Sequence, residues 1–405
     1  MKLSLNSQIF IGAVLGVAFG TILGHSPLAS TTGKIFLPVF DLLGKVFLNL
    51  LKMIMVPLVF ISITAGMANL KKTPHSRRIW MTLLLYSLTT TCLAAITGLT
   101  VMNLIKPGVG LNVHLLPTPT HPLSGGQPFN IITIVLAAAL SGTAIILSGD
   151  KGQNILKKVN ELFELMMTIV SWIMRLAPLG IMGLLAKLVA EANATLLFVL
   201  GKYIIVVVGS TLFHGLITLP LILWMVTKIT PWRLLLGLKE ALITAFSTSS
   251  STATLPVSLR CITENLKVDK NIARFVLPVG AVLNMDGTVM YEAMAALFVA
   301  NLCGAHLTLL SQMAVMFTAM MVSIGAPGIP SAGMVTMIMV LQSVGLPLQA
   351  LGLLIAIDRP LDTIRTVVNV EGDCIGACVV HAISRKISNQ GYPFQSGQNL
   401  VKLMT

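Results

Sequence analysis

Long apolar runs separated by short polar stretches make up most of the chain. Runs near or beyond the roughly 20 residues that cross a bilayer as a helix fall at about 9–23, 35–70, 80–105, 129–147, 162–189, 196–226, 272–302 and 346–380. They predict an all-α architecture with about eight transmembrane helices. Two further apolar segments break the pattern. From Trp232 to Phe246 a helical period runs into the stretch AFSTSSSTATLP, Ala245 to Pro256, and a second short helix leaves it before Arg260. Each arm has about a dozen residues, too few to cross, and both outer ends are basic. This is the pattern of a re-entrant hairpin that enters from the inner side.

The second such segment runs from Leu309 to Val344, where MAVMFTAMMV and MVTMIMVLQSV flank SIGAPGIPSAG. Its glycines and prolines break the helix at mid-membrane depth while both outer ends face outward. Backbone groups freed at that depth must be buried in protein or line a polar cavity. Paired half-helix hairpins from opposite sides are what inverted repeats of a secondary transporter produce, with helix N-termini for an anion and unwound carbonyls for cations. The plainer reading is two ordinary helix pairs joined by polar turns.

Composition agrees with a membrane protein. The chain has 405 residues, is 55% hydrophobic and 10% charged, and has a mean hydropathy of +0.89, whereas a soluble surface needs about a quarter charged residues. The net charge of +13 does not call for nucleic acid, because the bases alternate with the spans. Lys71, Lys72, Arg77 and Arg78 follow the second run, Lys151, Lys157 and Lys158 the fourth, Lys228, Arg233 and Lys239 the sixth, and Arg385 and Lys386 close the last. The intervening loops are nearly free of bases. The positive-inside rule then predicts a multi-pass protein of the cell membrane, plasma or inner, with both termini cytoplasmic. The first run, after Met1 and Lys2, is read as a retained helix, since no small-residue cleavage site follows it.

Candidate chemistry is concentrated in a few places. The last run holds AIDRPLDTIRTVVNVEGD; at about 100° per residue Asp358, Asp362, Arg365, Thr366, Asn369 and Asp373 share one stripe about 100° wide. Charges inside a membrane helix cost several kcal/mol unless paired or hydrated, so they mark function by default. A purely structural ion pair of Asp362 with Arg365 would leave Asp358 and Asp373 unmatched except by Arg359. Such an excess of carboxylates calls for a cation, either an ammonium group or a metal ion. A second knot, NMDGT at Asn284 to Thr288, interrupts the seventh run. Alone it could be a helix kink; beside the aspartate stripe, its oxygens suit a hard cation such as Na⁺. Cys92, Cys261, Cys303, Cys374 and Cys378 lack metal or redox spacing and read as small buried hydrophobes. His214, inside an apolar helix, reads as satisfied by a neighbouring helix.

Four motifs, SSSTATLP, LPVGAVLNMDGT, SIGAPGIPSAG and DTIRTVVNVEGD, in this order, make the chain resemble the dicarboxylate/amino acid:cation symporter family, which includes sodium- and proton-coupled glutamate and aspartate transporters. The likeness covers essentially the whole chain. It implies a homotrimer and an elevator mechanism. Residues 1–78 (helices 1 and 2) and 129–192 (helices 4 and 5) would form a static scaffold. Residues 79–105 (helix 3) and 196–405 would move; the latter include helices 6 to 8, a first hairpin at about 232–264 and a second at about 307–345.

By the same resemblance, Asp362 takes the α-ammonium of an acidic amino acid. Asn369 takes its α-carboxylate with hairpin groups around Ser250 and Ser251, and Arg365 with Thr288 takes the side-chain carboxylate. Thr366 and, in the second tip, Ile329 and Gly333 complete the set. The guanidinium fork suits a carboxylate, and neutral-amino-acid carriers of the family lack this arginine. Sodium would be held by Asp373 with carbonyls of Gly280, Asn284 and Asn369; by Asp286 with Asn284, Thr90 and Thr91; and by carbonyls near Ser323, Ile324 and Ala326. Glu292 stands where proton-coupled members carry a titrating glutamate; otherwise it is a hydrogen-bonded, permanently neutral one.

The chain departs from the family pattern at several places. Ser87 stands where a tyrosine is usual. Ser249 and Thr363 occupy the two places of which one usually holds an arginine, while Arg359 lies one turn earlier. Pro327 is unusual in the second tip. These departures leave K⁺ counter-transport open. Two readings compete within the family, a C4-dicarboxylate carrier, which would leave Asp362 without an ammonium, and a neutral-amino-acid carrier. From another class, an intramembrane serine hydrolase using Ser250 or Ser251 lacks a well-placed base, so no enzyme is expected.

Overall fold

The computed structural model describes residues 5–25, 29–68, 76–111, 131–191, 194–324 and 333–387. Regular structure among them is entirely helical: α1 (Leu5–His25), α2 (Ala29–Ala68), α3 (Ser76–Ile105), α4 (Ile131–Leu147), α5 (Gly149–Arg175), α6 (Ala177–Glu191), α7 (Ala194–Phe213), α8 (Leu219–Thr227), α9 (Pro231–Thr248), α10 (Ser251–Arg260), α11 (Lys270–Leu283), α12 (Asp286–Leu302), α13 (Leu309–Ser323), α14 (Gly333–Ser343) and α15 (Leu351–Ile387).

Counting α7 with α8 and α11 with α12, six helices among the described residues are long and apolar enough to cross a membrane; a seventh follows if α5 and α6 form one span. The sequence predicts one continuous fifth span, but the structure bends it by 48° between Arg175 and Ala177. Pro178 explains the bend, because it has no N–H to donate and its ring crowds the carbonyl four residues back. α4 has 17 residues, a rise of about 25 Å, which is shorter than the other candidates.

One neighbourhood gathers α1, α2, α4, α5 and α6, with α1 on α6 and α2 against α4, α5 and α6. Gly12, Gly16, Gly20 and Gly24 recur every four residues along the contact face of α1. A Cβ on Gly16 would fall 2.7 Å from Met182 O, on Gly20 2.7 Å from Ala186 O, and on Gly24 2.6 Å from Ala190 O. Small residues at this spacing let two membrane helices approach backbone to backbone. Across the seam between α2 and α6, Asp41 accepts from Lys187 at 2.9 Å.

The other neighbourhood surrounds α15, which packs against α3, α7, α8, α9, α10, α11 and α12. Of α12, every residue but Asn301 is buried, as expected for a helix enclosed on all sides. α9 and α10 double back at Ser249, whose φ of +50° closes α9 in the left-handed conformation, and Ser250 caps α10 by accepting from Ala253 N. This is the first predicted hairpin, and its two arms are tied by an Arg260–Glu240 pair. α13 and α14 pack together as the arms of the second. On the same side Asn103 of α3 and Gln312 of α13 exchange amide hydrogen bonds at 2.7 and 3.3 Å.

Candidate functional site

Two chain breaks among the described residues meet the middle of α15. The first lies between α11 and α12, where Asn284 (φ −107°, ψ 79°) and Met285 (φ −110°, ψ 53°) leave helical conformation. This is the NMDGT knot, and it points the start of α12 at α3. Thr91 Oγ1 donates to Asp286 Oδ1 at 2.7 Å, and Thr90 Oγ1 lies 3.0 Å from Asn284 Oδ1 and 3.2 Å from Asp286 Oδ1. All four residues are buried. The structure therefore brings together Thr90, Thr91, Asn284 and Asp286, as the sequence predicted.

It adds a partner. Pro220 has no N–H for the carbonyl four residues before it, and α7 passes into α8 through a π turn, His214–Thr218, in which Leu219 N reaches back to His214 O. The widened turn sets His214 Nε2 at 3.4 Å from Asp286 Oδ2. His214 thus has a polar neighbour across 72 residues of sequence. π turns often mark functional sites, but nothing in the apolar surroundings of His214 named Asp286 as its partner.

A second carboxylate lies one helix layer away. The side chain of Asp373 faces Gly280, where a Cβ would fall 2.7 Å from Oδ1, and this buried oxygen has no hydrogen-bond partner among the described residues. Gly372, beside it, leaves room for the Asn284 amide: a Cβ there would fall 2.5 Å from Nδ2. Tyr86 donates to Gly372 O at 2.9 Å. Ser87, where the resemblance expects a tyrosine, has a buried hydroxyl without a partner among the described residues. Each centre combines one aspartate with neutral hydroxyl or amide groups. Among the described residues no group of three or more His, Cys, Asp or Glu side chains is placed to hold a metal ion.

Along α15 the charges pair. Arg365 Nη2 donates to both Asp358 Oδ1 and Asp362 Oδ1 at 2.8 Å, and Arg359 Nη1 to Asp362 Oδ2 at 3.3 Å. Asp358 is thus not left unmatched, contrary to the sequence-based expectation. Seven residues are close to two full turns, so one guanidinium on this face reaches both carboxylates. Arg365 is 1% exposed and lies over the Tyr291 ring at 4.0 Å, while its Nε and Nη1 have no hydrogen-bond partner among the described residues.

Near Arg365 lie Asn369, Thr288 and Gly333. Asn369 Oδ1 accepts from Gly287 N at 2.8 Å and its Nδ2 donates to Thr288 Oγ1 at 3.1 Å. Gly333, the first residue of α14, lies between Thr288 and the guanidinium: its Cβ would stand 3.4 Å from Thr288 Cγ2 and 3.7 Å from Arg365 Nη2. Thr366 Oγ1 donates to Asp362 O at 2.8 Å. Thr336, which the sequence did not single out, donates to Glu292 Oε1. Ser249 of the first hairpin and Thr363 of α15 meet hydroxyl to hydroxyl at 3.0 Å, so the two places of which one usually holds an arginine in the resembled family touch each other. Ser250 and Ser251 are buried beside them. Ser323 Oγ donates to Met320 O at 3.0 Å, and Ile324 leaves α13 in an extended conformation. Ala326, Pro327 and Ile329 lie outside the described residues.

Broken helices, paired short hairpins and a charged helix buried among them define a membrane transporter. The chain belongs to the Sodium:dicarboxylate symporter family, which it matches over residues 5–383. It is 34% identical to excitatory amino acid transporter 3 of Mus musculus, over 95% of this chain and 86% of that protein. It is likewise 34% identical to neutral amino acid transporter B(0) of Bos taurus, over 94% and 80%, and 32% identical to neutral amino acid transporter A of Homo sapiens, over 93% and 82%. The chain is therefore a sodium-linked transporter and not an enzyme.

Proposed function

We propose that this chain is a symporter of acidic amino acids, L-glutamate or L-aspartate, driven by the sodium gradient with a proton carried at Glu292. The observation that carries this reading is Arg365. Its guanidinium is fully buried between Thr288, Gly333 and Tyr291, with Nε and Nη1 unmatched among the described residues. Its charge is met by Asp358 and Asp362, but the two free donors still call for an acceptor. A carboxylate fits its fork, and a neutral side chain would leave it unsatisfied.

Asp362 receives the α-ammonium and Asn369 the α-carboxylate, with Ser250, Ser251, Thr366 and the second tip, including Ile329, closing around them. Sodium is held as co-substrate at Asp373 with Gly280, Asn284 and Asn369, at Asp286 with Asn284, Thr90 and Thr91, and at the second tip near Ser323, Ile324 and Ala326. The neighbourhood of α1, α2, α4, α5 and α6 is the static scaffold of a homotrimer in the cell membrane, with both chain termini cytoplasmic. The α15 neighbourhood carries the site across as an elevator.

The relatives include excitatory and neutral amino acid transporters at similar identity, so a neutral substrate is the second reading; Arg365 favours the acidic one. Uptake of labelled L-aspartate and L-glutamate into proteoliposomes, under an inward Na⁺ or an inward H⁺ gradient, tests both. Removing one partner of a buried charge pair costs about 3 kcal/mol, roughly 100-fold, so Arg365→Ala is expected to abolish acidic uptake. No uptake of either compound by folded wild-type protein would move neutral amino acids ahead.

A further inference from the structure

Asp362, the proposed seat of the substrate ammonium, already has both carboxylate oxygens engaged. Arg365 Nη2 donates to Oδ1 at 2.8 Å and Arg359 Nη1 to Oδ2 at 3.3 Å. The two arginines are not equivalent. Arg365 is 1% exposed, shared with Asp358 and stacked on Tyr291. Arg359 makes the longer contact, is 11% exposed, and borders a cavity of about 10 Å³ at the seam between the two helix neighbourhoods, where Phe47, Met174 and Ile181 face Met334 and Ile355. Pro360, next in sequence, removes one backbone hydrogen bond from this turn of α15. Arg359 therefore holds Asp362 by the longer and more exposed of the two contacts.

We infer that Arg359 is a tethered stand-in for the substrate ammonium, neutralising Asp362 in the empty carrier and leaving it when substrate binds. The inference rests on the proposed function. Asp358, Arg359, Asp362 and Arg365 place two charges of each sign on one buried segment, so the empty site is neutral there. Without Arg359 the empty carrier would move one uncompensated carboxylate through a low-dielectric barrier, which slows its return. With substrate bound, the ammonium takes the place of Arg359 on Asp362. The residue thus governs the return of the empty carrier and not the passage of the loaded one.

Two assays separate these steps in proteoliposomes. Net uptake of labelled L-aspartate under an inward Na⁺ gradient requires the empty carrier to return. Exchange with unlabelled L-aspartate, at equal Na⁺ on both sides, does not. Arg359→Gln is expected to lower net uptake about tenfold, equivalent to about 1.4 kcal/mol on the return step, with exchange changed by less than about twofold. Arg359→Lys, which keeps the charge, should restore net uptake. Equal losses of net uptake and exchange in the folded Gln variant, or net uptake left intact, would overturn the inference. If that variant does not fold, the same split is read from Arg359→Met. Wild-type protein that neither accumulates nor exchanges would instead sink the proposed function.

Discussion

Two helix crossings in this molecule use the same device for opposite ends. Where α1 crosses α6, four glycines spaced by four bring one backbone against another, and the contact is apolar throughout. Where α11 and α12 cross α15, glycines again remove the Cβ. Here Gly280 admits the Asp373 carboxylate, Gly372 admits the Asn284 amide, and Gly287 meets the backbone of Arg365. The first crossing gains packing. The second gains polar groups held close in a dry place, where an unmatched oxygen or guanidinium is costly and so selects its ligand. A glycine stripe is therefore uninformative about function until its neighbours are known.

The comparison can be broken by filling each crossing. The largest effect is expected at Gly287→Val, because its Cβ would lie 2.7 Å from the backbone oxygen of Arg365, the residue that carries the proposed substrate site. Overpacking of this kind costs about 1–3 kcal/mol or more, and substrate binding measured by calorimetry should be lost altogether. Gly280→Ala puts a methyl 2.7 Å from Asp373 Oδ1; the sodium concentration for half-maximal uptake should rise about tenfold, the equivalent of about 1.4 kcal/mol, with the fold intact. Gly16→Val should do the reverse, lowering the melting temperature in detergent by about 5 °C, as a loss of roughly 2 kcal/mol implies, while sodium dependence of uptake stays as in the wild type.

Smaller effects sharpen the polar side. Glu292→Gln removes the ionisable group that Thr336 bonds; uptake should persist under a sodium gradient but no longer respond to an added inward proton gradient. A response preserved in this variant would place proton coupling elsewhere. Tyr86→Phe deletes only the bond to Gly372 O. A net hydrogen bond is worth about 1 kcal/mol, so half-saturation by sodium should shift about fivefold or less.

Much of this was legible from local pattern. The first hairpin appears at the serine run, with its reversal at Ser249, and the unwound break appears at NMDGT. The aspartate stripe survives as one face of α15 because helical geometry alone fixes which residues share a face. Other features needed partners far away in sequence. Tyr86 reaches Gly372 across 286 residues, His214 reaches Asp286 across 72, and Thr336 reaches Glu292 across 44. The fifth span was read as continuous because hydropathy sums over Pro178, whereas the backbone does not.

By itself the sequence determined the membrane class, the helical character of the chain, the breaks at the serine run and at NMDGT, and the set of charged residues that could not be left in lipid, since length, hydropathy and helical period are properties of a segment. Only the tertiary structure decided which of those charges neutralise one another. Arg365 bridges Asp358 to Asp362, Arg359 holds the far oxygen of Asp362, and the π turn brings His214 to Asp286. Pairing depends on rotamer and on distances of a few ångströms between segments, which side-chain packing sets and sequence spacing does not.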